Sequence, residues 1–361
     1  MLRFSLPLLA VMLVWTAPLL SLQTETPEPA PISHAAAAAQ TLLTAYDPQT
    51  GLFRTTGWWN SANAITALAD TARLTHSTTI PRTLANTFKQ APHKAPNFLN
   101  DYFDDEGWWA LAWIDSYTLT HDPQYLHAAE VIFTDMSHAW TPTCNGGIWW
   151  DRKRTYKNAI ANELFLSVAA HLALHTHGPQ RRQYIAWANR EWTWFQSTGM
   201  INPDHLVNDG LTPAADGTCH NNGKTTWTYN QGVLLGGLTA LSEATRTPGL
   251  LTPAHQIATA ALHHLTDADG VLHDPCEPNC GEDGIQFKGI FTRNLAELNR
   301  ATPIPAYAAA LQTQANALWT RARTPDNHFS VVWPGPPTDP HNAGAQSSAL
   351  DALNAAAQLA P

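Results

Sequence analysis

Two adjacent carboxylates precede a tryptophan-rich segment of the chain. Asp104 and Asp105 are followed closely by Gly107, Trp108 and Trp109. Cleavage of a glycosidic bond commonly uses one ionised and one protonated carboxyl group, and aromatic faces can stack on sugar rings. The same residues also suit a simpler role, because Asp is favoured as a helix N-cap and in a first helical turn. The segment therefore predicts either a carbohydrate-cleaving site or a capped helix.

The composition favours a large folded interior and excludes nucleic acid as a partner. Only 14% of the 361 residues are charged, whereas 15 are tryptophan; about a quarter charged is usual. The net charge is −9, with no basic run, and nucleic-acid binding requires clustered Lys and Arg. A neutral polysaccharide is compatible with this balance.

Residues 1–22 resemble a secretory signal peptide. Arg3 precedes an apolar stretch from about Phe4 to Leu22, the arrangement of such a signal. No clear cleavage site is present, and the stretch is long enough that an uncleaved membrane anchor is the alternative. Residues 23–32 form a Pro-rich leader that we expect to be flexible, and residues 33–361 form one domain. We expect a secreted, extracellular protein with no stable membrane association after signal removal.

The four cysteines predict two disulfides. Cys276 and Cys280 are close enough to bridge a tight loop, which leaves Cys144 and Cys219 as a long-range pair. An even number of cysteines fits an oxidising compartment. Zinc binding is the alternative, but the spacings match no common ligand pattern. We expect neither a metal nor another cofactor.

Apolar residues recur with helical spacing through most of the chain. This periodicity predicts helices at 33–46, 61–76, 81–91, 106–120, 123–139, 157–176, 179–197, 229–245, 252–266, 285–299, 304–322 and 345–358. Strand-like patterns are short and occur only at 146–150 and 329–333. The predicted fold class is all-α.

Proline-containing joints recur between these helices, at 120–123, 175–179, 245–248 and 301–303. Each joint ends one helix and is soon followed by another, and Pro suits the first turn of the new helix. The joints recur at roughly 55 to 70 residues, which fits one helical hairpin and a return loop. About six hairpins closing on themselves would form an (α/α)6 barrel, a six-hairpin toroid. An open solenoid of hairpins is the alternative.

Four polar segments supply further candidate contact residues, because polar groups inside a helical core are costly unless paired. The candidates are Trp59 and Asn63; Trp149, Asn158 and Asn162; Tyr229, Asn230 and Gln231; and Lys288 and Arg293. Each group has a structural alternative. The two Asn residues near 160 share a helix face and could bind a neighbouring loop instead of a sugar. The segment at 227–232 could be a capping turn. The two cations need partners and could pair with cleft carboxylates.

Together and in this order, these segments resemble glycoside hydrolase family 76, the α-1,6-mannanases of (α/α)6-barrel fold. The motifs that carry the resemblance are Asp104-Asp105 before Gly107-Trp108-Trp109, Gly146-Gly147-Ile148-Trp149-Trp150, Lys157-Asn158-Ala159, Tyr229-Asn230-Gln231-Gly232 and Phe287-Lys288-Gly289-Ile290-Phe291-Thr292-Arg293. The resemblance implies that Asp104 is the nucleophile and Asp105 the acid/base. Cys276 and Cys280 make the chain more similar to fungal members than to bacterial ones.

The resemblance further implies a retaining, endo-acting hydrolase of α-1,6-mannosidic linkages, acting as a monomer on α-mannan polysaccharide or oligosaccharide. A retaining enzyme needs carboxyl groups about 5 Å apart, which adjacent residues can meet. We expect the two Asp to titrate as a coupled unit, with one protonated at mildly acidic pH. Candidate stacking residues are Trp59, Trp108, Trp109, Trp149 and Tyr229.

Three alternatives stay open at the level of sequence. One is a transglycosidase acting on cell-wall mannoprotein glycans, and another is a non-catalytic mannan-binding protein. The intact Asp pair argues against the second. The third is another (α/α)6 enzyme, such as a lyase or a glucuronyl hydrolase. The net negative charge disfavours it, because a lyase typically acts on an acidic polymer.

Overall fold

The computed structural model describes residues 1–2, 30–214, 216–337 and 341–359. The predicted signal peptide and most of the predicted leader fall in residues 3–29, outside the described residues. Helix α1 begins at Ala30, so residues 30–32, predicted as leader, form its first turn.

Twelve helices are present in the described residues. They are α1 (Ala30–Thr44), α2 (Trp58–Thr75), α3 (Ile80–Gln90), α4 (Phe103–Thr120), α5 (Pro123–His138), α6 (Ala159–His175), α7 (Gly178–Ser197), α8 (Thr228–Thr245), α9 (Leu251–His264), α10 (Phe287–Ala301), α11 (Pro305–Arg321) and α12 (Ala343–Ala357). Each predicted helix is present. The all-α prediction is confirmed.

The even-numbered helices form a closed inner ring. Helices α2, α4, α6, α8, α10 and α12 contact one another in that order, and α12 packs against α2. The inner helices are buried along most of their length, as in α6 and α12, whereas outer helices such as α3 and α11 bury one side only. The contact between α12 and α2 excludes the open solenoid, and the fold is an (α/α)6 barrel.

Glycine permits the close approach of neighbouring inner helices. A Cβ added at Gly232 of α8 would lie 2.6 Å from the Cα of Phe291, and one at Gly289 of α10 would lie 2.5 Å from the Cα of Ser348. Such separations are well inside van der Waals contact. The glycines in two of the sequence motifs therefore bring helix backbones together.

Strand pairing in the described residues is limited to two short hairpins and single bridges. Strand β1 (Tyr46–Asp47) pairs with β2 (Leu52–Phe53), and β3 (Leu211–Pro213) pairs with β4 (Cys219–Asn221), both antiparallel. The strands predicted at 146–150 and 329–333 are not formed. In these segments Ile148 and Phe329 each make only one bridge, to a residue just after the preceding outer helix. Their apolar pattern reflects burial rather than a sheet.

A side-chain amide holds the chain after each of four outer helices. In each case one residue of a single antiparallel bridge donates its backbone N–H to an Asn or Gln side-chain oxygen. The pairs are Ile148 with Asn162 (2.7 Å), Val207 with Gln231 (2.8 Å), Leu272 with Gln314 (2.9 Å) and Phe329 with Gln346 (3.0 Å). Because buried backbone groups must be paired, these amides fix the loops that follow the outer helices.

Both predicted disulfides are present. Cys144 is bonded to Cys219, and Cys276 to Cys280. No free cysteine is left in the described part of the chain, which excludes the zinc alternative. Among the described helices, none combines the length and the apolar character needed to cross a bilayer.

The loop-holding role of Gln231 predicts a stability effect. Its side chain accepts from the Val207 N–H and donates to the Val207 carbonyl at 3.0 Å. Gln231→Leu keeps the volume but leaves both backbone groups buried and unpaired, so we expect a loss of about 2–4 kcal/mol in the free energy of unfolding. Chemical denaturation measures this loss. Gln256→Leu on the exposed side of α9 is the control, and an equal effect of both changes would contradict the role.

Candidate active site

A cleft of about 560 Å³ opens at the end of the barrel where the inner helices begin. It is reached by Trp59 of α2, Asp104 of α4, Asn158 at the N-cap of α6, Tyr229 of α8 and Phe287 of α10, all within the first residues of their helices. Helix N-termini carry partial positive charge, which favours negative groups nearby. This end of the barrel therefore suits carboxylates.

Asp104 and Asp105 lie in the first turn of α4 and line the cleft. The N-cap is Tyr102, and neither Asp side chain caps the helix, so the simple capping role is excluded. The Trp150 indole N–H donates to Asp104 Oδ2 at 3.1 Å, and the Asn100 amide donates to Asp105 Oδ2 at 2.5 Å. The second oxygen of Asp104, Oδ1, is buried and has no hydrogen-bond partner among the described residues.

Burial raises the pKa of both carboxyl groups. Burial and then the neighbouring charge of Asp105 hold the pKa of Asp104 well above its ordinary value. Burial raises the pKa of Asp105 to about 7, with Asp283 adding to the shift and Asn100 and Lys94 opposing it. Close carboxyl groups do not ionise together easily. The pair therefore retains a proton near neutral pH and titrates as a coupled unit.

Two further carboxylates line the cleft. The Tyr156 hydroxyl donates to Asp209 at 2.7 Å, and the Trp59 indole donates to Asp283 at 2.9 Å. Neither acid was identified from the sequence, because each lies in a Pro- and Gly-rich loop whose inward-facing side is not visible in a residue pattern. The cleft thus combines four acids with aromatic hydrogen-bond donors.

Aromatic rings form two walls of the cleft. On one wall Trp59 stacks with Trp108 at 5.6 Å between ring centroids, and Tyr229 stacks on Phe287 at 3.7 Å. On the other, Tyr102 and Trp150 are 4.9 Å apart. The sequence motifs identified Trp59, Trp108, Tyr229 and Asn158 as site residues, and all four line the cleft. They missed Tyr102, Trp150, Tyr156 and Phe287, which line it as well.

Trp109 and Trp149 do not line the cleft. Trp109 is fully buried and packs against Trp58, Phe98 and Trp113, because it follows Trp108 by about 100° around the helix. Trp149 faces away and lies against the ammonium of Lys157 at 4.9 Å. Successive side chains of an extended segment point to opposite sides, so its neighbour Trp150 faces the cleft instead.

Four predicted polar contacts also lie elsewhere. Asn162 and Gln231 hold the loops at Ile148 and Val207, as described above. Asn63 is buried and accepts from Arg293 at 2.5 Å. Asn230 is fully buried, and its side-chain atoms have no partner among the described residues. Polar residues on inner helices thus serve loops and helix packing as well as the cleft.

The two predicted cations do not pair with cleft carboxylates. Lys288 is bound to Glu277 at 2.5 Å and to the Val331 carbonyl at 2.6 Å. Arg293 pairs with Asp351 at 3.1 Å, and its guanidinium lies 5.6 Å from the ring centroid of Trp108. Both cations pair with acids outside the cleft, and the expectation that they pair with cleft carboxylates is corrected.

A closed (α/α)6 barrel with a carboxylate pair between aromatic walls has the features of a glycoside hydrolase. The model of glycosyl hydrolase family 76 matches residues 32–360. The chain belongs to that family.

Several characterised proteins are similar to the chain. Mannan endo-1,6-alpha-mannosidase DCW1 of Candida albicans is 27% identical over 66% of this chain, and the match spans 57% of that protein's length. A GH76A alpha-1,6-mannanase of Salegentibacter sp. was solved with alpha-1,6-mannotriose as an inactive variant with two consecutive aspartates changed to asparagine. It is 23% identical, with a TM-score of 0.83 over 91% of this chain and 100% of that one. Dfg5 from Chaetomium thermophilum, solved with glucosamine, is 22% identical with a TM-score of 0.80 over 91% and 90%.

The raised pKa of Asp105 predicts a pH-dependent gain in stability when the carboxyl group is removed. Its folded pKa of about 7 exceeds the unfolded value of about 3.9. The folded state therefore binds more protons than the unfolded state between these values, and stability falls as pH rises through that window. Asp105→Asn should be more stable than the parent by about 4 kcal/mol at pH 8, with little gain near pH 4.

Denaturant unfolding at the two pH values measures this difference. Asp204→Asn, which removes an exposed carboxylate, is the control and should show no gain at pH 8. An Asp105→Asn variant that is no more stable than the parent at pH 8 would show that burial of this group carries no cost.

Proposed function

We propose that the protein is a retaining, endo-acting α-1,6-mannanase that hydrolyses mannan. The observation that carries the proposal is the carboxylate pair Asp104 and Asp105 at the mouth of the barrel, inside a cleft lined by aromatic rings. The activities of the similar proteins support α-1,6-linked mannose as the substrate and internal cutting as the mode. An inactive neighbour with two consecutive aspartates replaced supports a catalytic role for an adjacent pair.

In this proposal Asp104 attacks the anomeric carbon and Asp105 protonates the departing oxygen. Asp104 lines the cleft, and its Oδ1 has no hydrogen-bond partner among the described residues, so no protein bond to that oxygen has to break before attack. The sugar–oxygen bond breaks as the carboxylate–sugar bond forms. Water deprotonated by Asp105 then releases the sugar with its original configuration. A pKa of about 7 suits Asp105 to give a proton in the first step and take one in the second.

The proposed nucleophile must be ionised when it attacks, so the proton that the pair retains must then lie on Asp105. Two features favour this arrangement. The Trp150 N–H bond stabilises the charged carboxylate, and positive charge develops on the sugar ring in the transition state. In the proposed mechanism Asp104 is therefore charged when it attacks, and Asp105 keeps the proton for the leaving group.

Aromatic and acidic side chains around the pair supply substrate contacts. Trp59 and Trp150 are half-buried and Tyr102 is 40% exposed, so each presents ring surface to a sugar. Asp209 and Asp283 offer acceptors to sugar hydroxyls, and Asn158 lies near them on the lining. The two disulfides are typical of an oxidising compartment, which supports action outside the cell.

The first test is the product of the wild-type protein. With linear α-1,6-mannan we expect shorter oligosaccharides throughout the reaction, and NMR should detect the α-anomer first because two displacements restore configuration. Initial β-anomer would exclude retention, and release of single mannose units only would exclude the endo mode. Predominant transfer to an added acceptor sugar would favour the transglycosidase alternative, and binding without products would favour a non-catalytic protein.

Variants of the pair test the two roles separately. Asp104→Ala and Asp105→Ala should each lower hydrolysis of mannan at least about a thousandfold. With azide and an aryl α-1,6-mannobioside that has a good leaving group, Asp104→Ala should form the β-glycosyl azide by one displacement. Asp105→Ala should form the α-glycosyl azide by two displacements. The reverse pairing of variants and products would exchange the roles, and Asp204→Asn serves as an active control.

A further inference from the structure

The ammonium of Lys157 is buried in a cage of backbone carbonyls. It donates to the carbonyls of Thr143 at 2.7 Å, Gly146 at 2.5 Å and Gly147 at 2.9 Å, and Thr141 lies at 3.3 Å. Lys157 is 2% exposed and makes no ion pair in the described part of the chain. An ammonium has three protons, so all of its donor capacity is used on the loop 141–147.

This loop has little freedom to adopt another shape. Gly146 and Gly147 have φ angles of +142° and +80°, and a Cβ on Gly147 would lie 2.3 Å from the ring of Trp194. The Trp194 indole also donates to the Cys144 carbonyl at 2.8 Å. Without the ammonium, the carbonyls of Thr141 and Gly146 would lose the only donor they have among the described residues, which is costly for buried groups. The carbonyls of Thr143 and Gly147 would each keep only one long backbone bond, at 3.3 Å.

Trp150 connects the end of this loop to the start of α4. Its backbone N–H donates to the Tyr156 carbonyl at 2.8 Å, next to Lys157, and its carbonyl accepts from the Phe103 N–H at 2.9 Å. Its indole N–H donates to Asp104 Oδ2. Trp150 therefore contacts the first residue of the helix and the carboxylate of the second.

We infer that Lys157 and Trp150 are positioning residues for the proposed hydrolysis. Lys157 fixes loop 141–147, and Trp150 transmits that position to Asp104 through one main-chain and one side-chain hydrogen bond. The expected effect on reaction rate rests on the proposed function. The expected effect on the position of the start of α4 does not. Neither residue acts on the substrate bond itself.

Burial disfavours the charged forms of both Lys157 and Glu191, so hydrogen bonds rather than an ion pair hold the ammonium. Glu191 of α7 is fully buried, and its oxygens have no hydrogen-bond partner among the described residues. Burial lowers the pKa of Lys157 to about 8, with Glu191 opposing the shift. The titratable groups that line the cleft with Asp104 are Asp105 of the same helix, Tyr229 of α8, the loop residues Tyr156, Asp209 and Asp283, and Tyr102 at the N-cap of α4.

Trp150→Phe tests the last link, because it keeps a ring and removes one N–H. Loss of a donor to the charged carboxylate should raise the pKa of Asp104. We therefore expect the acidic limb of kcat/KM to move to higher pH and kcat to fall about tenfold, with a smaller change in KM. A lower rate with an unmoved acidic limb would overturn the role of Trp150.

Lys157→Met tests the first link in a double-mutant cycle with Trp150→Phe. If Lys157 acts through Trp150, the double variant should lose little more than the larger single effect. Lys288→Met, which removes another buried ammonium that does not contact this loop, should combine with Trp150→Phe multiplicatively. Multiplicative effects of Lys157→Met and Trp150→Phe would overturn the inference.

Hydrogen exchange separates this inference from the proposed function. Exchange of residues 100–108 should rise in Lys157→Met and not in Lys288→Met, whether or not the wild-type protein hydrolyses mannan. If Lys157→Met does not fold, Trp194→Phe replaces it, because it removes the bond to Cys144 in the same loop. Unchanged exchange at 100–108 in the folded variant would overturn the inference, whereas an inactive wild-type protein would overturn only the proposed function.

Discussion

The cleft depends on a balance between buried carboxylates and the helix ends that face them. The inner helices that reach the cleft begin there, so partial positive charge from their first N–H groups converges on the same space. Four acids occupy that space, and burial still dominates the pKa of the central pair. A coupled carboxyl pair that retains a proton near neutral pH is the result, and acid–base chemistry on a sugar linkage requires such a pair.

The barrel fixes the loops after four outer helices by pairing their backbone with side-chain amides. Asn162, Gln231, Gln314 and Gln346 each accept a backbone N–H from the chain after an outer helix. Each amide lies on a helix of the barrel, so the rigid helices determine where the loops run. Polar residues inside the helices therefore hold loops in place, whereas several at the N-terminal ends of inner helices line the cleft.

The sequence motifs of this member of glycosyl hydrolase family 76 have both structural and site roles. The motifs of the chain contain cleft residues beside residues that hold loops or helices together. Asn158 lines the cleft, whereas Lys157 before it binds four carbonyls of a loop. Trp150 lines the cleft, whereas Trp149 before it lies against Lys157. These motifs therefore place a residue that lines the cleft next to a residue that holds the surrounding structure in place.

The sequence alone determined the helices, the hairpin order, both cysteine pairings and the carboxylate pair. These features depend on local periodicity, on spacing along the chain and on residue type, all of which are present in a linear sequence. Only the tertiary structure decided which side of each motif faces the cleft. Trp108 and Trp150 line the cleft, whereas their neighbours Trp109 and Trp149 lie outside it. On a helix, the next side chain points about 100° further around the axis, as with Trp108 and Trp109. In an extended segment, the next side chain points to the opposite side, as with Trp149 and Trp150. Asp209 and Asp283 were not identified because long-range packing of loops brings them to the pair. The spacing of residues along the chain does not show that these loops lie next to the carboxylate pair.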